Sequence, residues 1–296
     1  MSFAAVFLAQ EKKLFEGEGL DVSVRILPGE GGLNALLAGG VDFAQVSSSL
    51  LLQESRPGQD LIAVAAPMNR LDVEIVAARE KLEAADLSPS SSLRKRIAFL
   101  RGKTIGFQRL GGLAHLYTLY VLAKGGLAPQ KDVNLVALGD DMALVTALEQ
   151  KQIDAFVMAP PISVMPLAQG FGERLISGPE NDVEELAPFV STPLVTLKEY
   201  CRTHPDLCRR MVRAYARGNA FIADFPAQAL ASLTKRYATV KPAILERSLA
   251  AYSKTFDRDL RIDPRGLDVV QDLELLTGVR RQRLDVSALF SNAYFE

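Results

Sequence analysis

The chain has 296 residues, of which 48% are hydrophobic and 23% are charged, and its formal net charge is −1 at pH 7. These values are typical of a soluble globular protein with room for two domains, and a charge so close to zero gives no reason to expect a nucleic acid or an acidic membrane as partner. With two cysteines and two histidines in total, neither a disulfide framework nor a transition-metal site is expected.

A strand-helix-strand unit near the start of the chain organises the rest. Alternating Val and Ile residues predict a strand over 21–27, a short apolar stretch predicts a helix over 33–38, and 41–46 predicts a second, buried strand. The carboxyl ends of such strands share one edge of a sheet. The loops on that edge, 28–32 and 47–49, are rich in backbone N–H groups or hydroxyls, which suit an anionic or polar ligand.

The second part of the chain repeats this order of strand, glycine-rich loop, helix and strand. The charged and Ser-Pro-rich residues 80–96 predict the passage between two domains, and a ligand is expected between the resulting α/β lobes. A helical tail is expected to pack on the first lobe. Strands are predicted at 61–66, 73–78, 104–108, 133–138, 153–158 and 190–197, and further helices at 2–14, 113–124, 142–150, 205–224, 226–237, 242–256 and 264–277.

Cys201 and Cys208 flank a predicted helix break at residues 203–206. A local bridge between them is geometrically possible, but two unbridged, partly buried thiols are the favoured interpretation. Residues 1–10 lack the basic start and the small-residue cleavage site of a secretory signal. The sequence therefore leaves two alternatives open, a cytoplasmic chain or an export signal outside this sequence.

In several segments the chain resembles the periplasmic solute-binding proteins of ABC importers, in the branch that takes up nitrate, aliphatic sulfonates, taurine and thiamine precursors. The matching segments follow the family's order and spacing: FLAQEKKLFEGEGLDVSV (7–24), ALLAGGVDFAQVSSS (35–49), LRGKTIGFQ (100–108), the helix through His115, ALEQKQIDAFVMAPP (147–161) and KEYCRTHPDLCRRMVRAY (198–215). The family usually has a strand before its first helix, and here Met1 falls almost inside that helix, so the resemblance implies that this strand is missing or truncated.

The resemblance implies a two-lobed α/β fold of type II, each lobe a mostly parallel sheet flanked by helices, with a helical C-terminal region. It implies a first lobe of residues 1–79 plus 193–296 and a second lobe of 80–192, which close on a ligand in the cleft between them. It also implies a periplasmic location, a membrane permease as partner, a monomer and no cofactor. Ala159 stands where sulfonate-binding relatives often carry an acidic residue, which weakens an assignment to sulfonates.

The candidate ligand-binding residues lie in the loops at the predicted cleft. Arg109 is the one cation predicted at a cleft loop and suits a carboxylate or sulfonate, although a solvated surface arginine is an equal alternative. For His115 a structural hydrogen bond to a neighbouring loop is favoured, for Asp140 a helix cap is an alternative to ligand contact, and for Phe3 a core position is the safer interpretation. The full set is Phe3, Gly31, Gly32, Ser47, Ser48, Ser49, Gln108, Arg109, Gly111, Gly112, His115, Asp140 and Pro160.

Two other classes of protein share this architecture. One is the enzyme branch that makes the thiamine pyrimidine, which needs a lysine for pyridoxal phosphate together with histidine and cysteine-rich motifs; the sequence has no such cluster and no nucleophile-base-acid set. The other is the ligand-sensing effector domain of a transcription regulator, which would need an attached helix-turn-helix. A solute receptor for a small anionic organic compound, without catalytic residues, is therefore the favoured function.

Overall fold

The computed structural model describes residues 1–27, 29–55 and 60–295. Its strands are β1 (Ala44–Gln45), β2 (Leu61–Ala65), β3 (Glu74–Ala78), β4 (Thr104–Phe107), β5 (Asn134–Ala137), β6 (Ala155–Met158), β7 (Gly172–Ser177) and β8 (Leu194–Leu197). Its α-helices are α1 (Ala4–Glu11), α2 (Leu14–Gly17), α3 (Gly31–Leu37), α4 (Ser48–Glu54), α5 (Arg79–Ala84), α6 (Leu93–Ala98), α7 (Leu113–Lys124), α8 (Asp141–Glu149), α9 (Val164–Gln169), α10 (Lys198–Thr203), α11 (Pro205–Asp224), α12 (Pro226–Arg236), α13 (Pro242–Tyr252) and α14 (Pro264–Leu276).

The strands form two separate mixed sheets flanked by helices. The first sheet has the order β1-β8-β2 and the second has the order β5-β4-β6-β3-β7. Strand β8 runs antiparallel to both of its neighbours, and β3 runs antiparallel to β6 and β7, whereas β4 runs parallel to β5 and β6. The α/β fold with helices flanking each sheet is confirmed. Each sheet is mixed, because one strand that runs the opposite way, β8 in the first and β3 in the second, is inserted among strands that share one direction.

The chain crosses between the sheets twice. It leaves the first sheet after β2 and enters the second at β3, where Ile75 pairs with Val157 and Ile176. It returns after β7 through residues 178–193 to β8, where Thr196 pairs with Ile62. A lobe boundary at residue 79 would leave β3 with the first lobe, so the pairing favours a crossing at residues 66–73; the division into two lobes stays a prediction.

The predicted strand over residues 21–27 does not form. Within the described residues no backbone hydrogen bond connects 21–27 to any strand, although Leu20 N–H is bonded to the carbonyl of Phe15 at 2.9 Å. The alternation of Val22 and Val24 is real, because both are half-buried while their neighbours are exposed. Alternation predicts an extended chain with one buried face, but a strand also requires a neighbouring strand to pair with.

Residues 80–96 are not a linker. They include most of α5 and the start of α6, and Leu82 of α5 is 1% exposed. Arg96 is buried as well, and its guanidinium donates to the carbonyl of Leu175 at 2.9 Å and forms an ion pair with Asp182. The charge of Arg96 therefore attaches α6 to β7 and to the loop after it.

The C-terminal helices pack on both halves of the molecule, and not on the first lobe alone as expected. Helix α11 packs against α1, and a Cβ on Gly218 would lie 2.6 Å from the carbonyl oxygen of Ala5, so only glycine permits this close approach. Helix α13 contacts α9 and α14 contacts both α4 and α7. Among the helices of the described residues, none has both the length and the apolar character that a membrane span requires.

Cys201 and Cys208 form a disulfide, with their Cα atoms 5.8 Å apart. The favoured interpretation of two free thiols is therefore wrong. Helix α10 ends at Thr203 and α11 begins at Pro205, so the chain turns between the two cysteines and brings them together across the break. Both side chains are buried against the core that α11 shares with α1.

Candidate functional site

The loop between β4 and α7 holds most of the predicted ligand-binding residues. Glycine at position 111 has φ of +73°, in the left-handed region that side chains disfavour. Gly112 is the N-cap of α7 and supplies no side-chain cap. Within the described residues, the N–H groups of residues 113–115 have no hydrogen-bond acceptor. A helix of twelve residues thus presents a free, positively polarised end.

Arg109 lies beside this helix end. Its side chain folds over Gly112, since a Cβ built there would lie 3.2 Å from the Cγ atom of Arg109. The residue is exposed, and no carboxylate in the described part of the chain forms a salt bridge with it. The loop therefore combines backbone donors with an uncommitted guanidinium, which is the donor set that a carboxylate or sulfonate requires.

His115 supports this loop from within the first turn of α7. Its Nδ1 accepts a hydrogen bond from the N–H of Gly111 at 3.1 Å, and its ring lies 4.7 Å from that of Phe107. Burial lowers the pKa of His115, so the ring is neutral at pH 7 with its proton on Nε2. The structural hydrogen bond favoured from the sequence is present, and direct ligand contact by His115 stays a prediction.

Asp140 and Asp141, at the start of α8, have different roles: one caps the helix and the other binds Gln108. Asp140 caps the helix, because its carboxylate accepts from the N–H groups of Met142 at 2.8 Å and Ala143 at 3.0 Å. Asp141 accepts from the side-chain amide of Gln108 at 2.9 Å, which joins the β4–α7 loop to α8. Burial, and then the charge of Asp140, raise the pKa of Asp141. Gln108 and Asp140 were predicted from the sequence. Asp141 was missed, because its only signal in the sequence is that of an acidic residue after a helix cap.

The serine loop 47–49 is largely committed to the protein itself. Ser47 caps α4 by accepting from the N–H of Leu50 at 3.2 Å. The buried hydroxyl of Ser48 donates to the carbonyl of Val190, and that of Ser49 donates to the carboxylate of Glu274. These bonds tie α4 to the returning crossover and to α14. Ligand contact by these serines stays a prediction, and Ser47 is the most accessible of the three.

The remaining candidates lie in other parts of the fold, at the starts of α3 and α1 and after β6. Gly31 and Gly32 form the first turn of α3, and Pro28, which begins the predicted turn before them, lies outside the described residues. Phe3 is 40% exposed at the N-cap of α1, so it is not the core residue that the sequence favours. The carbonyl of Pro160, in the loop after β6, lies 3.5 Å from the amino group of Met1. The start of the chain thus contacts the loop that follows a strand of the second sheet.

A polar cluster at the crossovers was missed from the sequence. The buried carboxylate of Asp72, between β2 and β3, accepts from the hydroxyls of Ser2 at 2.9 Å, Ser191 at 3.2 Å and Tyr252 at 3.4 Å. Burial keeps the pKa of Tyr252 well above its usual range, so the hydroxyl remains a donor. Asp72 therefore connects both crossovers to α13, at the position where a hinge between lobes would lie.

Gln45, at the end of β1, is a second missed residue. Its amide nitrogen donates to the hydroxyl of Thr192 at 3.2 Å and to the carbonyl of Ser2 at 3.3 Å, whereas its buried oxygen Oε1 has no partner. An unpaired buried amide oxygen is a ready acceptor for a donor group on a ligand. No sequence signal marked it beyond its place at a strand end. In the described part of the chain, no cluster of three His, Cys, Asp or Glu residues could hold a metal ion.

The sequence profile of the NMT1-like family matches residues 1–235. The chain belongs to the NMT1-like family. A curated relative is YtlA of Bacillus subtilis (strain 168), named for a binding function, which is 25% identical over 255 residues that cover 85% of this chain and 72% of YtlA.

Solved structures confirm the periplasmic-binding-protein fold of this NMT1-like chain. The aliphatic sulphonate binding protein SsuA from Escherichia coli superposes with a TM-score of 0.77 at 18% identity, covering 100% of this chain and 96% of SsuA. The nitrate-binding protein NrtA from Synechocystis PCC 6803 superposes with a TM-score of 0.73 at 15% identity, covering 99% of this chain and 84% of NrtA. Identities this low establish the fold and not the ligand.

Proposed function

We propose that this NMT1-like protein is the solute receptor of an ABC importer and binds a small anionic organic solute between its two sheets. The observation that carries the proposal is the β4–α7 loop, where, within the described residues, the free N–H groups at the start of α7 lie beside the unpaired guanidinium of Arg109. A helix end and one guanidinium bind an anion reversibly, without a buried lysine. Both solved relatives named above are binding proteins for oxyanions by their descriptions.

A nearby acidic group limits how much negative charge the ligand can carry. Asp141 is held close to the loop by Gln108. Together with the acceptor Oε1 of Gln45, it favours a ligand that carries hydrogen-bond donors besides one anionic group. An organic solute meets both requirements, and inorganic nitrate meets only the first.

The disulfide supports the proposed location. Disulfides persist in oxidising compartments such as the bacterial periplasm and are rare in the cytosol. The Cys201–Cys208 bridge therefore agrees with the periplasmic location of the family. We propose in addition that the protein acts as a monomer, delivers its ligand to a membrane permease and catalyses no reaction.

The test is a thermal-shift screen of the purified protein against small carboxylates, sulfonates, nitrate, aromatic acids and pyrimidines, followed by calorimetric titration of the best hit. A solute at about 100 times its dissociation constant stabilises the fold by about 2.7 kcal/mol. Arg109→Ala should weaken binding of that solute more than about tenfold, because it removes a charge-assisted contact.

The matched control is Arg94→Ala, which removes another exposed arginine, in α6, away from the loop. It should leave the affinity unchanged. Equal affinity in wild type, Arg109→Ala and Arg94→Ala would exclude Arg109 from the site. If mass spectrometry shows that the protein chemically converts the bound solute, the protein is an enzyme and the receptor proposal is wrong.

A further inference from the structure

The two histidines of the chain have different surroundings. His115 is the third residue of α7 and is half-buried, and its Nδ1 accepts a hydrogen bond from the N–H of Gly111 at 3.1 Å. His204 lies in the exposed turn between α10 and α11, where its Nδ1 is 2.9 Å from the hydroxyl of Thr203. Only His115 is therefore bonded to the backbone of the proposed binding loop.

The bond from Gly111 to His115 stands where a helix start often uses a glutamate or a glutamine. In a capping box, the side chain of the third helical residue reaches back and accepts from a free N–H before the helix. His115 has this position, and it accepts from the residue before the N-cap Gly112. A carboxylate or amide oxygen accepts at any mildly acidic or neutral pH, whereas Nδ1 of an imidazole accepts only while the ring is neutral. A histidine thus makes this contact dependent on pH.

The same bond orients the donors of the loop. Gly111 lies between Arg109 and the N-cap of α7, and its φ of +73° belongs to a region that glycine enters and leaves at little cost. The bond between the N–H of Gly112 and the carbonyl of Arg109 is long, at 3.4 Å. A rotation at Gly111 would therefore move the guanidinium of Arg109 relative to the free N–H groups at the start of α7.

Burial alone lowers the pKa of His115. The charged groups on the surrounding elements are Arg109 in the loop, Asp140 and Asp141 at the start of α8, and Asp272, which faces α7 from α14. Strands β4 and β6, which are described throughout, have no charged residue. A helix N-terminus also disfavours a cation, so the ring is neutral at pH 7 and becomes charged only in acid.

We propose that His115 is the positioning residue of the solute site: its neutral ring holds the β4–α7 loop in the anion-binding form, and a proton on Nδ1 releases Gly111 and, with it, the solute. The inference rests on the proposed function. A proton on Nδ1 turns the acceptor into a donor, so two N–H groups face each other at the 3.1 Å of the present bond and the ring or the loop must rotate. The solute is bound at neutral pH and released in acid.

A charged imidazole would also attract an anion, and this effect has the opposite sign. His115 is only half-buried, so solvent and salt screen that attraction. Rotation of the loop, in contrast, displaces several donors at once, and each of them is a charge-assisted contact to the anion. The loss of geometry therefore outweighs the gain in charge, and the affinity falls as the pH falls.

The first experiment needs no solute. Protein labelled with ¹⁵N in histidine and glycine is titrated by NMR from about pH 7.5 to about pH 4.5, which includes the usual histidine pKa of about 6.5. His204→Gln leaves His115 as the only imidazole of the chain, and Gly111→Ala identifies the Gly111 amide by its loss. The expected result is a neutral ring with its proton on Nε2 and a Gly111 amide that shifts with the midpoint of the ring. A neutral ring protonated on Nδ1, or a Gly111 amide that does not follow the ring, overturns the proposal.

The second experiment measures binding of methanesulfonate, which stays ionised over this range, by calorimetry at the two end points. The wild type and the control His204→Gln should bind about fivefold more weakly, or weaker still, in acid. His115→Gln should lose this dependence, because its amide oxygen accepts from Gly111 at both pH values, and it should bind more tightly at pH 7.5 than His115→Leu.

Three outcomes of the calorimetry contradict the role of His115. They are an affinity of the wild type that does not depend on pH, an affinity that rises in acid, and an equal fall in His115→Gln. If methanesulfonate does not bind at pH 7.5, the proposed function fails for sulfonates, and the NMR titration alone then decides whether His115 holds the loop.

Discussion

The clearest test of the proposed solute site is Gly111→Ala. Gly111 has φ of +73°, and no heavy atom lies within 4 Å of the position that its Cβ would take. The substitution therefore costs no steric overlap, and its cost is conformational, about 1–2 kcal/mol for a left-handed backbone with a side chain. The backbone relieves this strain by rotating, which breaks the bond to His115 Nδ1 and turns the free end of α7 away from the ligand.

Gly126→Ala is the matched control. Gly126 follows the other end of α7, has φ of +64°, and likewise has no heavy atom within 4 Å of its Cβ position. Both variants should lower the free energy of unfolding by about the same 1–2 kcal/mol in urea. Only Gly111→Ala should also weaken binding of the solute found in the screen, by about tenfold or more in calorimetry. Equal affinities in the two variants would refute the role assigned to this loop.

Two further outcomes are expected. The Cys201–Cys208 bridge closes a loop with a sequence separation of 7, so its reduction should lower the free energy of unfolding by about 2.4 kcal/mol; two reactive thiols in the unreduced native protein would contradict the bridge. Because burial lowers the pKa of His115, its contribution to stability is complete above the unfolded pKa and is lost as the pH falls below about 6.5, by at most about 1.4 kcal/mol per pH unit. His115→Gln should remove that part of the pH dependence in urea titrations between pH 5 and 7.5, and an unchanged slope would show that other groups cause it.

The helices are the part of the fold that the sequence predicts best. Helices α7 (Leu113–Lys124) and α11 (Pro205–Asp224) have the predicted bounds. Their signals are local: glycines at both ends of α7, and a proline at the first position of α11. Asp140 was found as a cap for the same reason, since its partners lie two and three residues away.

Strand pairing could not be predicted from the same signals. Residues 21–27 alternate as a strand does, yet their pairing depends on what lies beside them. Strand β7 (Gly172–Ser177) was missed, because its charged residues hide a segment that pairs with β3 about 100 residues earlier in the chain. The direction of β8 between β1 and β2 is likewise set by the long return from the second sheet.

The site residues that were predicted have their partners nearby in the sequence, and the ones that were missed have distant partners. Arg109, Gly111 and Gly112 lie in one loop and were found together. Asp141 acquires a role only through Gln108, 33 residues away, and Asp72 only through hydroxyls 70 to 180 residues away. Such residues have no pattern of their own, because their function depends on partners that meet only after folding.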